Sequence, residues 1–186
     1  MTVQLARRLF TVDDYYRMAE AGILNEDDRV ELIEGEIIEM APIGSHHASS
    51  VMRLMALFGR LTPDLATLSA QNPVRIDDYS EPEPDFMLLK PRADFYREAH
   101  PTPEDVLLLV EVADASITYD RRVKLPLYAR AGIAEVWIVD LVRNRMDVFR
   151  TPSPRGYEET LSIERDGFVT PQAFPDLRIH ASDVLG

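Results

Sequence analysis

Cysteine is absent from the 186-residue sequence. That absence excludes disulfides, thiolate catalysis and cysteine-based zinc sites at once. Long apolar runs are missing too. No stretch approaches the roughly 20 residues that span a bilayer, so no membrane partner is expected. The stretch Met1–Phe10 carries Arg7 and Arg8 but neither an apolar segment nor a small-residue cleavage site. No secretory signal is therefore expected, and a cytoplasmic address fits. There is no glycine-rich phosphate-cradling loop. Positive charge is scarce: 20 basic residues stand against 32 acidic ones, a net charge of −12. A protein that binds nucleic acid chiefly by charge should be basic. This balance requires either a local basic patch or a partner other than a long duplex.

What remains is ordinary for a globular protein, with 46% hydrophobic and 28% charged residues. The length suits one domain, 1–186, with a core large enough to fold alone. Thr11 and Asp14 have the spacing of a helix cap, and an amphipathic helix follows to about Ala21. Two short strands, Arg29–Ile33 and Glu36–Met40, flank a Glu34-Gly35 turn. Ser45 can cap a second helix that carries Val51, Leu54, Leu57, Phe58 and Leu61 at helical spacing. Strands are expected near Ala66–Ala70 and Pro73–Asp77.

The prolines of Glu81-Pro-Glu-Pro-Asp85 keep that segment extended. It leads into the apolar run Phe86–Leu89. Pro91–Glu104 reads as a surface loop. Val106–Val112 is the most apolar run in the chain and should be a central strand. A third helix starts at Thr118 or Tyr119 and stops at Gly132, with Pro126 bending it. Ala134–Asp140 and Arg145–Arg150 read as strands joined by a short turn. From Thr151 the chain should add one hairpin and an edge segment. The fold class is mixed α/β, with an N-terminal helix and hairpin and a βαβ unit from Val106 to Asp140.

Two acids stand out against this frame. Glu111 interrupts the central strand, and an unpaired buried carboxylate is costly. Asp85 opens another apolar strand. If the two strands are neighbours, both carboxylates meet at one sheet edge. Such hard oxygen donors suit Mg²⁺ or Mn²⁺, and the carbonyl of Val112 is the candidate for a third protein ligand. Taken singly, each acid has a bland reading as a cap or ion-pair partner. Lys124 could stabilise charge developing on a phosphoryl group or position a water. Its bland reading is a surface i,i+4 pair with Asp120. Glu31 could face inward, because Val30, Leu32 and Ile33 do not alternate cleanly. His46 and His47 open the second helix without metal-pair spacing. Ser49 and Ser116 have no base near them in sequence. Trp137 is expected in the interior; outward-facing, it would mark a binding surface.

Several segments, taken together, resemble the Uma family of restriction-endonuclease-like proteins. They are Glu31-Leu-Ile-Glu-Gly-Glu-Ile, Pro42 with His47, Glu83-Pro-Asp85, Val110-Glu-Val112 with Ser116, Asp120-Arg-Arg-Val-Lys124 and Leu127-Tyr-Ala-Arg-Ala-Gly-Ile-Ala-Glu-Val-Trp137-Ile-Val-Asp140. The resemblance covers about Phe10 to Arg150. It implies a PD-(D/E)xK nuclease-like fold, that is, a restriction-endonuclease-like mixed β-sheet flanked by helices. It implies that Asp85 and Glu111 hold a metal ion. Ala113 stands where the superfamily places its strand lysine. The family's lysine lies on the next helix, where Lys124 matches. Glu31 matches an N-terminal acid that orients water or assists the metal, and His47 matches a recurrent histidine. The expected activity is Mg²⁺-dependent hydrolysis of DNA, with Glu31, Asp85, Glu111 and Lys124 as the catalytic set. A homodimer would provide the two sites needed to cut both strands. The competing expectation is a non-catalytic nuclease-fold module that binds a protein, which the acidity favours.

Overall fold

The computed structural model describes residues 7–25, 27–62 and 64–186. Residues 1–6 of the N-terminal stretch lie outside that range, as does the side chain of Leu61. Helix α1 (Val12–Glu20) begins with the expected capping box. The Asp14 amide donates to Thr11 Oγ1 at 3.1 Å, and the Thr11 amide donates to Asp14 Oδ2 at 3.2 Å. Strands β1 (Val30–Ile33) and β2 (Glu36–Glu39) form a hairpin of their own. Both turn residues are left-handed, Glu34 at φ 50° and Gly35 at φ 79°. A side chain at Gly35 would also collide with Leu9, whose Cβ lies 2.6 Å from the position a Cβ would take. One backbone bridge, Leu32 to Glu81, ties the hairpin to the extended segment before the next sheet.

Helix α2 (Ser45–Leu61) buries Val51, Leu54 and Phe58. Its N-cap is Gly44, one residue earlier than expected, and no side chain caps it. Six strands form the main sheet in the order β3 (Thr67–Ser69), β4 (Phe86–Leu89), β5 (Val106–Ala113), β6 (Glu135–Asp140), β7 (Arg145–Ser153) and β8 (Gly156–Glu164). Only β5 and β6 run parallel. The chain from β5 to β6 passes through α3 (Ile117–Tyr119), a π-helical turn (Asp120–Lys124) and α4 (Leu125–Arg130). This is the expected βαβ unit. The sheet divides the core in two. Phe86, Val110 and Trp137 pack with Phe58 of α2 on one face, while Met87, Leu109 and Ile138 pack with Tyr128 of α4 on the other. A strand buried on both faces has no polar alternation, so β4 and β5 read as near-continuous apolar runs.

Four expectations are corrected. Pro73–Asp77 is extended without being a strand, because its one ladder contact is an isolated bridge from Asp77 to Ser80. The third helix starts at Ile117 and is not uniform: the Leu125 amide bonds the Asp120 carbonyl five residues back. Pro126, with no N–H to continue regular winding, follows directly. Strand β7 runs on to Ser153 in a long hairpin with β8. The chain closes with a small pair, β9 (Phe168–Val169) and β10 (Ile179–His180), and helix α5 (Ala181–Leu185), whose Ala181 and Val184 join the α2-side core. Trp137 is fully buried, its ring 6.2 Å from that of Phe58, so it presents no outward binding surface. No described helix is long and apolar enough to cross a membrane.

Candidate metal centre

The antiparallel register Phe86–Val110 brings Asp85, one residue before β4, alongside Glu111 in β5. The strands are neighbours, as the paired carboxylates require. Asp85 is held at both oxygens. The Val112 amide donates to Oδ2 at 2.8 Å, and His47 Nε2 lies 3.0 Å from Oδ1. What the structure shows of Val112 at this site is therefore its N–H. His47, in the first turn of α2, projects across the sheet end onto Asp85, and the hydrogen bond to that carboxylate raises its pKa above the usual histidine value.

Glu111 is buried on the α4 side. Tyr128 Oη donates to its Oε1 at 2.6 Å, and Lys124 Nζ stands 3.3 Å from the same oxygen. Lys124 Nζ also reaches Glu31 Oε2 at 2.9 Å, and that oxygen accepts the Glu83 amide at 3.2 Å. The surface-pair reading of Lys124 with Asp120 is overturned. Both residues are buried, at 5% and 4% exposure, and Lys124 bridges two strand carboxylates while Asp120 accepts from Ser116 Oγ at 2.7 Å. Glu31, Asp85, Glu111 and Lys124 thus come together, drawn from β1, the entry to β4, β5 and the π-helical turn.

The charge state follows from crowding. Burial pushes Glu111 up to about 8; Asp120 and Asp85 add to the rise, and Lys124 opposes it. Asp120 is pushed up to about 6, again chiefly by burial. Glu83 is raised by burial and by Glu31. Burial acts to lower the pKa of Lys124, but Glu111 and Glu31 outweigh it and the ammonium is held above its usual value. Burial wins at Glu111 and pairing wins at Lys124 because one cation is shared among several carboxylates.

A cavity of about 450 Å³ opens over these groups. A surplus of buried carboxylates over buried cations is the donor chemistry that a divalent cation relieves. Among the described residues no three acidic or imidazole groups form a ready-made cage. Mg²⁺ does not need one, since it binds through one or two carboxylates and keeps several waters. Asp85 and Glu111 fit that habit.

Sequence reasoning missed Asp120 and Tyr128 as members of this cluster. Asp120, Lys124 and Tyr128 recur every fourth residue and so share one helical face, a signal that was available. The partner of His47 left no local signal, because Asp85 lies 38 positions away.

The model of the Uma2 family, described as "Putative restriction endonuclease", matches residues 12–182. A solved structure described as a "putative nuclease" of DUF820 from Anabaena variabilis ATCC 29413 superposes with a TM-score of 0.72 at 17% identity, covering 95% of this chain and 97% of that one. The type IIG restriction endonuclease BpuSI aligns at a TM-score of 0.40 and 14% identity, over 78% of this chain and 17% of its own. No curated protein matches.

Proposed function

Because the chain belongs to the Uma2 family, we propose that it is a Mg²⁺- or Mn²⁺-dependent endonuclease that hydrolyses DNA phosphodiester bonds. The observation that carries this reading is the convergence of Asp85, Glu111, Lys124 and Glu31 at one sheet end, inside a cavity. Asp85 and Glu111 would hold the metal, with the Val112 carbonyl as the third protein donor. A divalent cation there supplies charge neutralisation and a more acidic bound water. Lys124 would donate to the attacking water or to a non-bridging phosphate oxygen. Glu31, paired with Lys124 at 2.9 Å, would receive the proton the water loses. Water oxygen bonds to phosphorus, the bond from phosphorus to the leaving sugar oxygen breaks, and that oxygen takes a proton from solvent. Ala113 at the strand position costs nothing in this scheme, since Lys124 places an ammonium beside Glu111 from the helix. Two copies of the chain would be needed to cut both strands at once.

The test is incubation of plasmid and branched DNA with Mg²⁺ or Mn²⁺, comparing the wild type with Asp85→Ala. Cleavage by the wild type alone supports the enzyme; equal, slow loss of every DNA form by both proteins sinks it. The second reading, a nuclease-fold module that binds a protein, rests on the net charge of −12. Calorimetric titration with Mn²⁺ separates the two, because that module would show no carboxylate-dependent heat.

A further inference from the structure

The cavity says more about substrate than the metal ligands do. Its volume of about 450 Å³ lies within the roughly 300–1,000 Å³ of small-ligand sites. One stretch of its wall is the loop between β2 and α2, which contributes Met40, Pro42 and Ile43; Ile43 is 41% exposed. Tyr119 adds an aromatic ring to the lining. Most of the charged lining is acidic, and Glu39 and Asp114 extend it beyond the buried cluster. Arg29, Lys124 and His47, the last engaged by Asp85, also line the cavity. Arg29 spends one nitrogen on the Ala41 carbonyl at 3.0 Å, and Lys124 is shared between Glu31 and Glu111.

A duplex is held chiefly through many phosphate–cation contacts. This lining offers few, and the chain as a whole is acidic. What it offers is apolar and aromatic surface beside a place for a metal-neutralised phosphate. A base can use such a surface only when its face is free. Extruding a paired base costs free energy that an unpaired strand does not spend. Stacking of bases on aromatic side chains adds to the backbone–cation contacts that hold single strands, and here it would carry the larger share.

We propose that the cavity takes an unpaired nucleotide, its base against the 40–43 loop and its phosphate at Asp85 and Glu111, so that the substrate is single-stranded or frayed DNA and not intact duplex. This rests on the nuclease reading of the same site, and binding measurements separate the two.

The experiment is fluorescence anisotropy with a labelled oligothymidylate of about 12 nucleotides and a hairpin duplex of equal strand length. Ca²⁺ replaces Mg²⁺, since it occupies oxygen sites without demanding the same geometry. The expected result is binding of the single strand about tenfold or more tighter than the duplex, with a shallow salt dependence because few cations line the cavity. Ile43→Ser should weaken single-strand binding several-fold and Ile43→Trp should tighten it, with the Mn²⁺ affinity of the DNA-free protein unchanged in both. Ile43 lies on an exposed loop, so both variants should fold. Duplex binding as tight as single-strand binding overturns the proposal. So does indifference to both Ile43 substitutions, or binding of neither DNA form. In the last case, Asp85-dependent Mn²⁺ binding still leaves the metal centre standing.

Discussion

Two glutamates lie buried on adjacent strands of the main sheet, and the protein treats them in opposite ways. Glu135, at the start of β6, faces the α2 side and is fully buried. Trp137 Nε1 donates to its Oε1 at 2.9 Å, Arg150 donates there at 2.8 and 3.0 Å, and the Gln172 amide reaches Oε2 at 2.6 Å. The guanidinium answers the buried carboxylate, with exposed Glu159 only at 3.9 Å, and both Glu135 oxygens are bonded. Glu111, on β5 and the opposite face, shares one lysine with Glu31 and is crowded by Asp85 and Asp120. The first arrangement ties strand β6 to β7 and to the C-terminal segment. The second is poorly neutralised by its own chain, which suits the proposed role of accepting a cation from outside. Burial alone does not mark a functional acid. Burial with too few counter-charges is what makes Glu111 the candidate.

The sharpest way to break this contrast is Glu135→Ala. It strands Arg150 and the Trp137 indole and should cost about 3–5 kcal/mol. The melting temperature should then fall by roughly 10 °C, given about 2–4 °C per kcal/mol at this size, with Mn²⁺ titration unaltered. A loss under about 1 kcal/mol would mean that the Glu135 network is not structural. Asp85→Asn should do the converse. It keeps an acceptor for the Val112 amide but removes the charge, so cleavage should drop by about 100-fold while the melting temperature moves by about a degree or two. Equal cleavage by both proteins would remove Asp85 from the metal centre.

A pH series on metal-free protein comes next. Glu111 and Asp120 have raised pKa values, about 8 and about 6, so the folded state keeps protons that the unfolded chain releases near pH 4. Their contribution to stability is full below the unfolded values and is lost as pH rises through the folded ones. His47, also raised, acts in the same direction, its contribution present below 6.5 and lost above. The melting temperature should therefore decline between about pH 5 and pH 8, and Mn²⁺ should flatten the decline. A melting temperature that rises through that window contradicts the crowding. The smallest effect expected is that of Trp137→Phe, which removes one donor from Glu135 and fills nearly the same space. About 1–2 kcal/mol of stability should be lost, read by urea denaturation.

What the sequence revealed and what it hid divide along the same contrast. The apolar runs of β4 and β5, the left-handed Glu34-Gly35 turn and the Thr11–Asp14 box are local patterns, and they were legible. So was the anomaly of a glutamate inside the β5 run. The Glu135 network was not legible, because its donors come from positions 137, 150 and 172, and only the folded register unites them. Lys124 was legible as part of the site through family resemblance alone. Its spacing to Asp120 favoured a surface pair, and nothing in the helix sequence announces that both residues are buried. Pro73–Asp77 failed for a different reason: alternating apolar residues form a strand only where a partner runs alongside, and there the chain meets just one bridge.

The π-helical turn at Asp120–Lys124 can also be described as an insertion. Each residue of a regular helix advances the side-chain direction by about 100°. The π-helical turn advances by less than that per residue, so Asp120 and Lys124, four apart, are set differently around the axis than the same spacing would set them in a regular helix. The placing of the ammonium beside Glu111 thus goes with the winding of a single turn. Regular winding at that turn, with every carboxylate left in place, would change how the lysine meets Glu111 without touching an acid.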